Sequence, residues 1–178
     1  PHSKPVFDLD SPQLIDVIAG LNRGVDMEGN ELKGRTHLFP GAAVNPGAKP
    51  LEPQIIKAKM KEERGARFFQ TQAIYDPQVL KRYVEELRRA GIKVPVLVGI
   101  LPLKSSGMAR FMNKHIPGVY VPDDVIVELE RGKDTVETSL EISAKVIRET
   151  EKVCQGAHFM PMGWEIYVPD ILNRAGLI

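Results

Sequence analysis

The sequence has one cysteine, Cys154, in 178 residues. That excludes an internal disulfide framework and any metal site built on several thiolates. Net charge is almost absent: 24 Lys+Arg stand against 23 Asp+Glu, leaving +1. No block of like charge stands out, so nothing advertises nucleic acid or an anionic membrane as a partner. No apolar run approaches the roughly 20 residues that a membrane span needs. Gly-x-Gly-x-x-Gly, P-loop and Gly-x-Ser-x-Gly motifs are missing, which argues against dinucleotide, nucleoside-triphosphate and hydrolase readings. None of His2, His37, His115 and His158 has zinc-motif spacing to another. There is no internal repeat and no low-complexity segment. What remains, 43% hydrophobic and 26% charged, is a globular mixture that predicts a single domain over residues 1–178. Pro1 to Pro5 is neither a signal peptide nor an initiator-Met context, so residues are expected to precede it.

Helical patterns alternate with short apolar runs. Ser11, followed by Pro12, reads as the N-cap of a helix running to about Leu21, with Leu14, Ile15, Val17, Ile18 and Leu21 on its apolar face. Gly24 to Gly34 reads as a loop. The first strand is expected within Thr36–Val44, then a loop, then a helix over Glu52–Arg64 stopped by Gly65. Arg67–Ile74 is the second strand. Asp76-Pro77 opens the next helix, whose stripe is Val79, Leu80, Tyr83, Val84 and Leu87. Its other face offers Lys81/Glu85, Arg82/Glu86 and Glu85/Arg89 pairs. Gly91 ends it, and Val94–Leu101 is a third strand apolar enough to be buried on both faces. Short helices follow at Gly107–Lys114 and from Pro122 to near Gly132. The longest helix runs from Asp134 to Val153, with Asp134 and Glu137 as a capping-box-like pair and Val136, Leu140, Ala144 and Ile147 as its buried stripe. A fourth strand at Gly156–Met160 and a Trp164–Ala175 helix broken at Pro169 complete the chain. Four βα units in alternation imply α/β class with a parallel sheet. That sheet is either a small doubly wound one or half of a (β/α)8 barrel, whose full length is about 250 residues.

Gln70 and Gln72 point the same way from a strand that should read Val/Ile/Leu if buried. Gln72 stands near the C-terminal end of its strand, where α/β proteins bind ligands. It reads either as an amide for a heterocyclic ligand or as a satisfied structural amide. Gly99-Ile100-Leu101-Pro102 opens a loop at the same end. Lys57 and Lys61 lie one turn apart, with Lys59 between them, as a phosphate or pyrophosphate grip or as a solvated helix face. Met108, Met112, Met160 and Met162 line an apolar pocket or fill core. His37 and His158 are expected as hydrogen-bonded core groups, and Cys154 as buried at the end of its helix.

In order, Gly41-Ala42-Ala43-Val44-Asn45-Pro46-Gly47-Ala48, Gly65-Ala66-Arg67-Phe68-Phe69-Gln70-Thr71-Gln72, Gly91-Ile92, Gly99-Ile100-Leu101-Pro102 and His158-Phe159 resemble the methylenetetrahydrofolate reductase family. The resemblance covers nearly the whole chain but only the C-terminal half of that family's (β/α)8 TIM barrel. It implies a flavoprotein that binds FAD at the strands' C-terminal ends and reduces 5,10-methylenetetrahydrofolate to 5-methyltetrahydrofolate. It also implies a cytoplasmic place in one-carbon metabolism and methionine biosynthesis. Gln72 falls on the family's pterin-binding glutamine and Lys61 on a lysine near the flavin diphosphate. Asn45 replaces a histidine next to the cofactor. Gln54 and Lys57 stand where the family has Asp and Asn contacts to it.

The departures point to a divergent branch. Gly41 replaces a cofactor-packing tyrosine. Met108 replaces a substrate-contacting glutamine, and Met112 a phenylalanine beside the substrate. Trp164 occupies the region of an arginine and is a candidate to stack on a ligand ring. The family's general acid belongs to the N-terminal half, which is expected from a longer polypeptide, another chain or a homo-oligomer. FMN in place of FAD, and an electron-donor protein in place of NAD(P)H, are compatible with these changes. The alternative is a non-catalytic flavin- or folate-binding or electron-relay subunit on a half-barrel. A self-contained four-strand domain with an unrelated ligand is a third reading.

Overall fold

A computed structural model describes residues 8–178; the Pro1–Pro5 start and His2 lie outside the described residues. The elements are α1 (Ser11–Arg23), β1 (Gly41–Val44), α2 (Glu52–Glu63), β2 (Phe68–Ala73), α3 (Pro77–Arg89), β3 (Val96–Ile100), α4 (Ser106–His115), α5 (Asp123–Arg131), α6 (Thr135–Thr150), β4 (Gly156–Phe159), a 3₁₀ turn (Glu165–Tyr167) and α7 (Val168–Arg174). The strands pair in parallel in the order β1-β2-β3-β4. This is the βα alternation of a partial (β/α)8 barrel.

The sheet has two unlike faces. Ala42 and Val44, then Phe69, Thr71 and Ala73, then Val96, Val98 and Ile100, are buried. The helices supply the matching layer. On α3 the Asp76 carboxylate accepts from Gln78 N at 2.8 Å and sets the start. Leu80, Tyr83, Val84 and Leu87 are then all buried. Each such side chain stabilises by roughly 1.5–3 kcal/mol. Gly41, Ala43 and Gln72 lie on the opposite, open face, with Phe68 and Gln70 half-buried there. A smaller core of Tyr75, Leu103, Met112, Val121, Ile126 and Leu129 lies under α4 and α5.

Several expectations need correction. Asp10, not Ser11, caps α1: its carboxylate accepts from Gln13 N, and the Gln13 side chain accepts from Asp10 N, both at 2.8 Å. This reciprocal box satisfies two main-chain amides at once, which sets the helix start at Asp10. The first strand is only four residues. Ahead of it, Asn22 on α1 takes the segment's hydrogen bonds: Leu38 N donates to Asn22 Oδ1 at 2.9 Å, and Asn22 Nδ2 donates to Leu38 O at 2.8 Å. Thr36 Oγ1 adds a bond of 2.6 Å to the same oxygen. Leu38 and Phe39 are therefore 50% and 72% exposed. His37, expected in the core, is exposed and outside any strand.

On α3, none of the three expected i,i+4 pairs forms among the described residues; Glu86 pairs with Arg89 instead. Arg88 turns inward to the carbonyls of Ile92 and Val94 at 2.8 and 3.2 Å. Asp134 does cap α6, accepting from Val136 N and Glu137 N. Glu137 does not return to the cap, because Arg174 on α7 binds its carboxylate. Pro169 opens α7 rather than breaking it, since a first-turn proline loses no helical hydrogen bond. Cys154 is buried after α6, and desolvation pushes its thiol up to about 11.

Candidate functional site

The C-terminal end of β2 is irregular. Gln70 pairs with Leu97, but Ala73 pairs with Gly99, so β2 carries one extra residue there. Thr71, 3% exposed, points into the core and fills the gap. Its Oγ1 accepts from Gly99 N at 2.8 Å and donates to Gln72 O at 2.7 Å. Gly99 has to be glycine: a Cβ would stand 2.5 Å from Thr71 O and 2.6 Å from Gln72 O. Past this bulge Gln72 is exposed on the open face, with Gln70 on the same side.

A second group lies along β1 and α2. Gln54, Lys57 and Lys61 recur at three- and four-residue steps on α2, whose one buried residue is Ala58. Lys61 Nζ donates to Ala43 O at 2.7 Å. Burial first, and then the charge of Lys57, hold the Lys61 ammonium below its ordinary value, while Asp10 opposes them. Lys59 faces away and pairs with Glu62 at 3.2 Å. Where Gly41 lacks a side chain, the Phe68 ring lies over it, and a Cβ there would overlap that ring. Phe39 stacks on Phe68 at 5.8 Å and 14°. At the end of β1, Asn45 Nδ2 donates to Pro117 O at 3.4 Å. Its Oδ1 is buried with no donor. A Cβ on Gly118 (φ +80°) would overlap this amide, so the loop after α4 is fitted against it.

The third group joins the loops after β3 and β4. Lys104 Nζ lies 5.7 Å from the Trp164 ring centroid and donates to Met162 O. Tyr167 meets the same indole edge-on at 5.4 Å. Met162 has φ 49°, unusual for a non-glycine residue, and Gly163 follows at 92°. Glu165 accepts from Gly163 N at 3.0 Å. That bond is the main reason its carboxyl lies below the usual range. Met108 is half-buried on α4. Met112, expected beside a substrate, is instead 5% exposed and packed in the smaller core, its Sδ 3.9 Å from the Tyr75 hydroxyl. His158 is half-buried on β4, opposite Gly99.

A cavity of about 460 Å³ opens between the β1–α2 loop and α3, lined by Leu51, Ile74, Tyr75, Val79 and Tyr120 among others. None of the sequence-predicted site residues lines it. Apart from Met112, which is in the smaller core, those residues fall instead into three clusters at the strand ends and along α2. Thr71, Phe68 and Lys104 were not singled out by sequence reasoning. The signal for Thr71 was there: three polar residues in a row, Gln70-Thr71-Gln72, inside a strand of a parallel sheet. Among the described residues no group of three or more His, Cys, Asp or Glu is placed to hold a metal. No helix among them is long and apolar enough to cross a membrane.

Comparison with known proteins bears on the fold and the family. The model of the family described as methylenetetrahydrofolate reductase matches residues 8–176. Methylenetetrahydrofolate reductase 1 of Schizosaccharomyces pombe is 31% identical over 141 residues, covering 72% of this chain and 22% of that protein. Methylenetetrahydrofolate reductase (NADH) 1 of Zea mays is 27% identical over 116 residues, 63% of this chain and 19% of that one. The chain thus spans about a fifth of the length of these curated relatives. A solved structure of an uncharacterized Clostridium thermocellum protein, described as binding two copies of 5-methyl-5,6,7,8-tetrahydrofolic acid, has a TM-score of 0.58 at 17% identity. The match covers 78% of this chain and 52% of that one, and it shows a shared fold.

Proposed function

The chain belongs to the methylenetetrahydrofolate reductase family, and we propose that it supplies the folate-contacting strands and part of the cofactor site of a flavin-dependent reductase. The reaction is the reduction of 5,10-methylenetetrahydrofolate to 5-methyltetrahydrofolate. The observation that carries the reading is Gln72: an exposed amide at the bulged end of a strand whose other face is sealed. A carboxamide offers two donors and one acceptor, which suits the mixed donor–acceptor edge of a pterin. Met108 and Trp164 are assigned to the rest of the folate. The half-buried indole, held by Lys104 and Tyr167, is a ready stacking surface.

The residues present fit a flavin. Lys57 and Lys61 are two cations that disfavour each other, and a diphosphate between them would relieve that repulsion. Gln54 adds an amide one turn away. This pair supports FAD over FMN. The Asn45 Oδ1 orphan calls for a donor such as a ring N–H. A bound reduced flavin would supply the hydride; this chain's residues hold and orient the two ligands.

The general acid and the remaining strands are assigned to the rest of a longer polypeptide or to a second chain. The open face and the two edge strands, β1 and β4, support a continuation of the sheet. One domain, a cytoplasmic setting and a place in one-carbon metabolism and methionine biosynthesis belong to the same reading; the lone buried Cys154 fits a reducing compartment. The test is binding of FAD and 5-methyltetrahydrofolate to the full-length polypeptide with and without Gln72→Ala. Folate affinity should drop about tenfold or more while FAD affinity holds. Equal loss of both, or of neither, defeats the assignment. Binding of both ligands without turnover would replace it with a non-catalytic binding or electron-relay subunit, whether or not a partner protein donates the electrons.

A further inference from the structure

We infer that Thr71 is a positioning residue for folate binding: its buried hydroxyl, spliced into the β2–β3 ladder, aims the Gln72 amide. The inference rests on the role proposed for Gln72. In a regular parallel ladder Gly99 N would meet a β2 main-chain carbonyl. Here it meets the Thr71 side chain, and the same hydroxyl spends its proton on the carbonyl of Gln72 itself. The hydroxyl thus replaces one ladder bond and tethers the peptide that carries the amide. The bulge lies between Gln70 and Ala73, so the residue it re-aims is Gln72. Gly99 lets both carbonyls close in, and Ile74 N resumes the ladder on Gly99 O at 3.0 Å. At 3% exposure Thr71 touches no ligand; it acts through its neighbour.

Thr71→Val keeps the shape and deletes the hydroxyl, leaving Gly99 N–H and Gln72 C=O without their partner. Thr71→Ser keeps the hydroxyl. In the full-length polypeptide, titrated with 5-methyltetrahydrofolate and with FAD, Thr71→Val should weaken folate about tenfold and FAD less than about twofold. Thr71→Ser should restore folate binding. Because Thr71 acts through Gln72, the valine substitution should cost nothing further in a Gln72→Ala background. An additive loss in that background, an equal loss of FAD, or unchanged folate binding in Thr71→Val would overturn the inference while the role of Gln72 stands. Unchanged folate binding in Gln72→Ala alone would remove the role of Gln72 and the inference with it. Should Thr71→Val not fold, Thr71→Ala deletes the same hydroxyl without a second methyl against Gly99, and the same comparisons apply.

Discussion

Lys61 Nζ, on the last turn of α2, is bonded to the main-chain carbonyl of Ala43 in β1 at 2.7 Å. One of its three hydrogens is therefore fixed, and the other two are left to point at an anion. Lys61→Met keeps the stem and removes the charge. It should weaken FAD binding by about 1.5–3 kcal/mol, the worth of a charged hydrogen bond. Folate affinity should be nearly unchanged. Titrations at two salt concentrations check the mechanism, because the variant's FAD affinity should depend less on salt.

Phe68 covers Gly41, so the two positions compete for one volume. Gly41→Ala should push the Phe68 ring aside and break its stack with Phe39, costing about 1 kcal/mol in urea unfolding. The ring's far end can swing, so the variant should still fold. In a Phe68→Ala background the same alanine should cost nothing. Equal costs in both backgrounds would show that the ring is not what Gly41 accommodates.

The Glu165 carboxyl lies below the ordinary range because Gly163 N–H bonds its charged form. A depressed folded-state value means that the bond's contribution is complete above the ordinary carboxylate value and is lost as pH falls through the lowered one. Trp164, between these two residues, reports it. Its fluorescence should hold constant from neutrality through the ordinary range and change only below it. In Glu165→Gln the profile should be flat; a transition that survives there belongs to another group.

What was legible depended on how local the cause is. For α3, cap, proline and stripe all lie within twelve residues, and the structure keeps the cap and the proline and buries the stripe except Val79, which is half-buried on the cavity wall. Strand alternation was enough to put Gln70 and Gln72 on one face. Thr71 was not legible as a ladder partner because Gly99 is 28 residues away. Lys61 reaches Ala43 across 18 residues. The Thr36–Pro40 run looked like strand because its residues suit one; what it pairs with is a side chain on α1, which no local pattern announces. Met112 resembled its pocket-lining counterparts until the fold turned it toward Tyr75.

That pairing also concerns self-association. Leu38-Phe39 is an exposed apolar segment leading into an edge strand, the sort of stretch on which a second molecule builds a fibril. Asn22 blocks the template by occupying the Leu38 N–H and C=O with an amide that cannot propagate a ladder. One side chain on α1 thus closes the approach to this edge by satisfying both main-chain groups of Leu38.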